Sequence, residues 1–200
     1  MMLKRFSMPM LFGLMMTLAA VAPAADNATE SVRASVDAII AILKDTTLEK
    51  PAKREKIRVV IAERFDFRAM SQRTLATNWK KASKEEQVQF VTLFGELIQN
   101  TYIGRVEAYT DETVEYPGEK ITNDRAVVDT RIVTASAEIP VSYKLYLRNE
   151  RWMVYDVYIE GVSLISNYRN SYQEIVKKEG FSGLLTKMEE KVRELANQPS

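Results

Sequence analysis

Apolar positions recur at helical spacing through the first half of the chain, change to the alternation of strands after Tyr109, and return to helical spacing near the C-terminus. Asn27-Ala28-Thr29-Glu30 offers an N-cap and an acid at the third helical position. Val32, Val36, Ile39, Ile40 and Leu43 follow at intervals of three and four, which predicts a first helix to about Lys44. Pro51 suits an early helical position, and Ile57, Val60, Ile61 and Phe65 form the apolar stripe of a second helix whose other face carries Lys and Arg. Phe67 to Leu75 predicts a short third helix, with Asp66 as its cap. Ser83-Lys84-Glu85-Glu86 is a capping box opening a long helix to about Tyr109, with Val88, Val91, Phe94, Leu97, Ile98, Tyr102 and Val106 on one side.

Beyond Tyr109, segments rich in Val, Ile, Thr and Tyr predict four antiparallel strands at Thr113 to Tyr116, Ala126 to Thr134, Ile139 to Leu147 and Trp152 to Ile159. Tyr116-Pro117-Gly118-Glu119 and Arg148-Asn149-Glu150-Arg151 are the expected turns. The second should close a hairpin that sets Leu147 opposite Trp152 and Leu145 opposite Val154. A helix from Ile165 to about Lys178, a stop at Gly180 and a last helix capped by Ser182 complete the reading. Helices, then a meander, then more helix describe an α+β domain, with helices packed on one side of a curled antiparallel sheet of about four strands. The last two strands are apolar or aromatic on both faces, more than a sheet with one wet face requires.

Before the first helix, Lys4 and Arg5 precede an apolar run from Met8 to Ala22 and the small-residue stretch Ala22-Pro23-Ala24. This pattern predicts a secretory signal peptide over residues 1–24 and a single exported domain over residues 25–200. The run is about 15 residues, broken by Pro9 and Gly13, against the roughly 20 needed to span a bilayer, so stable membrane insertion is not expected.

Composition narrows the chemistry. With no cysteine and no histidine, the chain has no Cys/His zinc site, thiol nucleophile or histidine triad, and no metal site is expected. Its 28 basic and 27 acidic residues give no basic excess for nucleic acid. Asp66, Asp129, Asp156 and Glu160 are the acids nearest apolar segments, in no diagnostic spacing, and Ser71 and Ser163 lack a lysine placed to activate them. Asp156 is the candidate general base if the domain is an enzyme with an apolar pocket, and an acceptor of structural hydrogen bonds otherwise.

Two blocks resemble the periplasmic phospholipid carriers of the MlaC type, the toluene-tolerance auxiliary component of ABC transporters. The first is Phe65-Asp66-Phe67, Met70, Leu75, Trp79, Glu86-Gln87, Phe90, Phe94, Leu97 and Tyr102. The second is Trp152-Met153-Val154-Tyr155-Asp156-Val157, Glu160-Gly161-Val162-Ser163-Leu164 and Asn167-Tyr168-Arg169. The resemblance runs from about Thr29 to Leu195, with Ala76 where the family usually has glycine and Tyr172 where it often has phenylalanine. It implies a periplasmic shuttle that takes part in outer-membrane lipid asymmetry. The implied partners are glycerophospholipid, an outer-membrane lipoprotein complex and an inner-membrane ABC transporter with an MCE-domain subunit. No catalysis and no cofactor are implied, only a bound phospholipid.

A cavity between helices and sheet would then account for the apolar surplus. The expected lining is Val141, Tyr143, Leu145, Leu147 and Val154 of the hairpin, Phe94, Ile98 and Tyr102 of the long helix, and Val162, Leu164 and Ile165 after the sheet. Core and cavity wall share one periodicity, so each position also fits ordinary core. Arg105, Lys144, Arg148 and Arg169 are candidates for headgroup or partner contact. The alternatives to a lipid carrier are the Asp156 enzyme and a periplasmic lipoprotein carrier or chaperone.

Overall fold

The computed structural model describes residues 27–108 and 112–197; the expected signal peptide and Tyr109 lie outside them. Among the described residues, five helices precede and follow a meander of five antiparallel strands paired in sequence order, an α+β domain with a curled sheet. Helix α1 (Ala28–Lys44) is capped by Asn27, whose side chain accepts from Thr29 N at 2.9 Å. Glu30 does not complete that box: it sits 3.4 Å from Arg33, and Glu119 of the sheet accepts from both Thr29 N and Thr29 Oγ1. A strand residue thus fixes the start of α1, a long-range contact with no local signature.

Helices α2 (Lys50–Arg64) and α3 (Phe67–Leu75) are separated by Phe65 and Asp66. Asp66 caps α3 through Ala69 N at 2.8 Å, while its own N–H bonds Val154 O at 2.9 Å. The α2–α3 link therefore runs along the free edge of the strand that holds Val154. A 3₁₀ turn over Ala76–Lys80 leads to α4 (Lys84–Glu107), whose Ser83–Glu86 capping box is complete.

Strands β1 (Thr113–Thr122), β2 (Arg125–Val133), β3 (Glu138–Arg148) and β4 (Arg151–Ile159) are followed by the short β5 (Val162–Ser163). Tyr116-Pro117-Gly118-Glu119 is not a turn. It lies inside β1, where the register against β2 shifts between Glu115 and Gly118, and the chain reverses instead at Asn123-Asp124. Pro and Gly at a sheet edge also mark a bulge, because an edge proline has no ladder hydrogen bond to lose. The β3–β4 hairpin has the expected register, Leu147 opposite Trp152 and Leu145 opposite Val154. Asn149 and Glu150 both take positive φ, the conformation that a two-residue reversal between twisted strands demands.

Helix α5 (Leu164–Ala196) starts one residue earlier than expected, with Ser163 as its cap. Gly180 (φ 73°, ψ −175°) leaves helical geometry and divides it into two helical segments, as the expected stop does, but the second begins at once, so Ser182 lies inside it rather than capping it. Two cores result. Phe90, Phe94, Tyr172, Leu184 and Met188 fill the space between α3, α4 and α5, while Val128, Leu145, Trp152 and Val154 join Ala28 and Val32 against the sheet.

Candidate functional site

Between α1, the end of α4 and the inner face of the sheet lies a cavity of about 400 Å³. Helix α1 supplies Val32, Val36, Ile39, Ile40 and Leu43, the whole apolar stripe that marked it as a helix. Ile98, Tyr102, Ile103 and Val106 come from α4. Alternation along the strands turns Val114, Thr130, Ile132, Ile139, Val141 and Tyr143 to the same space, and the register shift of β4 opposite Lys144 and Leu145 brings Val154 to the side of Val157 and Ile159. Ile61, Phe65 and Leu164 complete the apolar wall. Ile39, Ile40 and Leu43 stay half-buried although they point inward, because they face this space rather than other side chains.

The polar groups of the lining are few and mostly engaged. Arg64 donates to Ser35 Oγ at 3.2 Å and Trp152 O at 3.0 Å, and Thr130 Oγ1 donates to Val141 O at 2.9 Å. Burial pushes the Tyr143 phenol up, with a hydrogen bond to Thr130 opposing the shift. The Tyr102 phenol is also raised, by burial first and by Tyr168 second, while Arg105, 5.6 Å from its ring centroid, acts the other way. Arg105 is exposed and lies near the C-terminal end of α4, where Glu112 also borders the cavity. Gln99 Oε1 is buried without a hydrogen-bond partner among the described residues. No cluster of three or more acids that would hold a metal ion occurs among the described residues.

Of the residues expected to line a cavity, Ile98, Tyr102, Val141, Tyr143, Val154 and Leu164 meet here. Phe94 and Ile165 belong instead to the helical core, where Phe94 packs edge-on against Tyr168 and Tyr172. Leu145 is fully buried in the sheet core, Leu147 packs against that core, and Val162 is exposed. Of the four candidate cations, Arg105 alone borders the cavity. Lys144 donates to Tyr158 Oη at 2.9 Å, Arg148 lies 3.6 Å from Asp66, and Arg169 donates to Arg73 O at 2.9 Å. Sequence reasoning missed the contribution of α1. Its stripe was legible as helix, and nothing in its spacing distinguishes a wall from a core face.

Asp156 is outside the lining. Its Oδ1 accepts from Val157 N at 2.8 Å and Ile165 N at 3.2 Å, and its Oδ2 accepts from Ser163 Oγ at 2.7 Å. Ser163 Oγ in turn accepts from Ser166 N, so the carboxylate pins the start of α5 to β4.

Comparison with known proteins adds three findings. The profile of the family described as MlaC protein matches residues 33–190. The intermembrane phospholipid transport system binding protein MlaC of Haemophilus influenzae is 27% identical over 133 residues, 64% of this chain, and the match spans only 60% of that relative's length. A phospholipid-binding protein from Ralstonia solanacearum, whose structure was solved in complex with a phospholipid, superposes with a TM-score of 0.78 at 25% identity, over 86% of this chain and 99% of that one.

Proposed function

The chain belongs to the MlaC protein family, and on that premise we propose that it is a phospholipid carrier holding acyl chains in the cavity between α1, α4 and the sheet. The observation that carries the reading is the composition of that cavity wall, predominantly Val, Ile, Leu and aromatic rings. Its volume of about 400 Å³ falls within the roughly 300–1,000 Å³ of small-molecule sites. Each methylene taken out of water contributes about 0.8 kcal/mol, so one acyl chain is worth on the order of 10 kcal/mol. Only a lining nearly as apolar as a bilayer competes for it. The solved Ralstonia relative, with its bound phospholipid, supports the ligand class.

The same reading makes residues 25–200 one lipid-binding domain, delivered to the periplasm by a signal peptide over residues 1–24. It would move glycerophospholipid between an outer-membrane lipoprotein complex and an inner-membrane ABC transporter with an MCE-domain subunit. A site that binds lipid about as well as a membrane only exchanges it, so direction comes from the transporter's use of ATP or from docking. Native mass spectrometry of the exported protein purified without detergent, followed by organic extraction, tests the reading. A stoichiometric phospholipid adduct is expected. A folded protein without lipid that also takes none from vesicles contradicts it.

A further inference from the structure

On the face of the β3–β4 hairpin that alternates with Tyr143 and Leu145, the rings of Tyr146 and Tyr155 lie with centroids 6.0 Å apart. Arg73 Cζ of α3 lies over the Tyr155 ring, 4.1 Å from its centroid, and Arg125 Cζ of β2 lies 5.4 Å from the centroids of both rings. These groups border an open recess of about 340 Å³ whose walls are Ala69, Gln72, Arg73, Arg125 and Tyr146. None of the five lines the apolar cavity.

The nearby acids are already committed or weakly placed. Asp66 accepts from Ala69 N and Tyr146 Oη and pairs with Arg148. Asp124 is 3.6 Å from Arg125, with both side chains about half exposed, a pair that solvent screens. Arg73 has no carboxylate partner among the described residues, and Arg169 donates to its carbonyl oxygen. A guanidinium over an aromatic ring is drawn to the face of that ring, and its forked N–H donors match the two oxygens of a carboxylate.

We propose that this recess receives an acidic side chain of a protein partner, bound between Arg73 and Arg125. The proposal goes beyond the carrier reading, because no residue of the cavity takes part. A protein rather than a bilayer is favoured by the surroundings. Surfaces built for membranes set apolar side chains beside their cations, whereas the exposed large apolar residues among those described, Val59, Val88, Ile121 and Val162, all lie outside the recess walls. The chain as a whole is also close to neutral, so the cationic character is local.

The test uses the exported protein and a fluorescein-labelled hexaglutamate peptide, read by anisotropy at low ionic strength. Binding is expected to fall about tenfold or more in Arg73→Gln/Arg125→Gln, as for loss of charge-assisted bidentate bonds. The Arg73→Lys/Arg125→Lys pair, which keeps charge but not the planar fork, should recover only part of the loss. A control with Lys177→Gln/Arg193→Gln on exposed α5 should leave binding unchanged. The proposal is overturned if the peptide does not bind, or if the control weakens it equally. It is also overturned if vesicles of phosphatidylglycerol and phosphatidylethanolamine, but not the peptide, depend on Arg73 and Arg125. Circular dichroism confirms that each variant is folded. Lipid content, measured separately, reports on the carrier reading alone.

Discussion

Leu145 and Val154 stand opposite each other across the β3–β4 hairpin, both buried, yet Val154 borders the cavity and Leu145 does not. A cross-strand pair therefore marks the boundary between wall and core, and the two sides should respond differently to substitution. Leu145→Ala should cost about 2–5 kcal/mol in urea unfolding through the void it leaves, with the lipid stoichiometry of the folded fraction unchanged. Ile39→Glu, at a half-buried wall position of α1, should leave the lipid-free protein within about 1 kcal/mol of the parent and abolish lipid co-purification.

Asp156 has a structural assignment with a measurable consequence. Removing its three accepted hydrogen bonds in Asp156→Ala leaves buried donors at Val157, Ser163 and Ile165, and should cost about 2–4 kcal/mol in chemical denaturation. Asp156→Asn, which keeps one acceptor oxygen, should cost less. Unchanged stability in Asp156→Ala would remove this assignment.

Glu107 ties the end of α4 to α2 through Arg54 Nε and through Nη2 at 2.8 Å, with Lys50 Nζ 3.6 Å away. The Arg54 hydrogen bonds hold the Glu107 carboxyl below the usual carboxylate range, against burial, which raises it. A folded value lower than the unfolded one contributes stability that is complete above the unfolded pKa and is lost as pH falls through the folded one. Glu107→Gln should therefore lower stability by about 1 kcal/mol at neutral pH, and thermal midpoints of variant and parent should converge in acid. A gap that widens in acid would reverse the sign of this account.

Ala76 ends α3 with φ 50° and ψ −119°, a conformation that L side chains rarely adopt. Glycine, which the family resemblance places here, meets no such penalty. Ala76→Gly should raise stability by about 0.5–1.5 kcal/mol despite the added freedom of the unfolded chain. A lower unfolding midpoint would show that the strain is absent in solution.

Local rules carried most of the fold. The Ser83 box, the Asp66 cap and the hairpin register each depend on residues within one turn of chain, and each stands as its local sequence predicts. Reading failed where one signal has two physical causes. Pro117-Gly118 serves a bulge as well as a turn, and Ser182, a residue type suited to a cap, lies inside the helical segment that follows the break at Gly180. The site was legible by class rather than by address. Tyr143 and Leu145 share one strand face, but only Tyr143 borders the cavity, while Leu145 belongs to the core cluster that Ala28 and Val32 of α1 join from far away in sequence.

The central claim, that acyl chains occupy the space between α1, α4 and the sheet, is tested most directly by isotope-edited NMR. Protein carrying a phospholipid labelled with carbon-13 in its acyl chains would be examined for contacts to assigned methyl groups. The account predicts cross-peaks from the chains to Ile39, Ile98, Val141 and Ile159 and none to Leu184, Leu185 or Met188 of the helical core. Contacts to that core, or a bound lipid touching none of the cavity methyls, would contradict it.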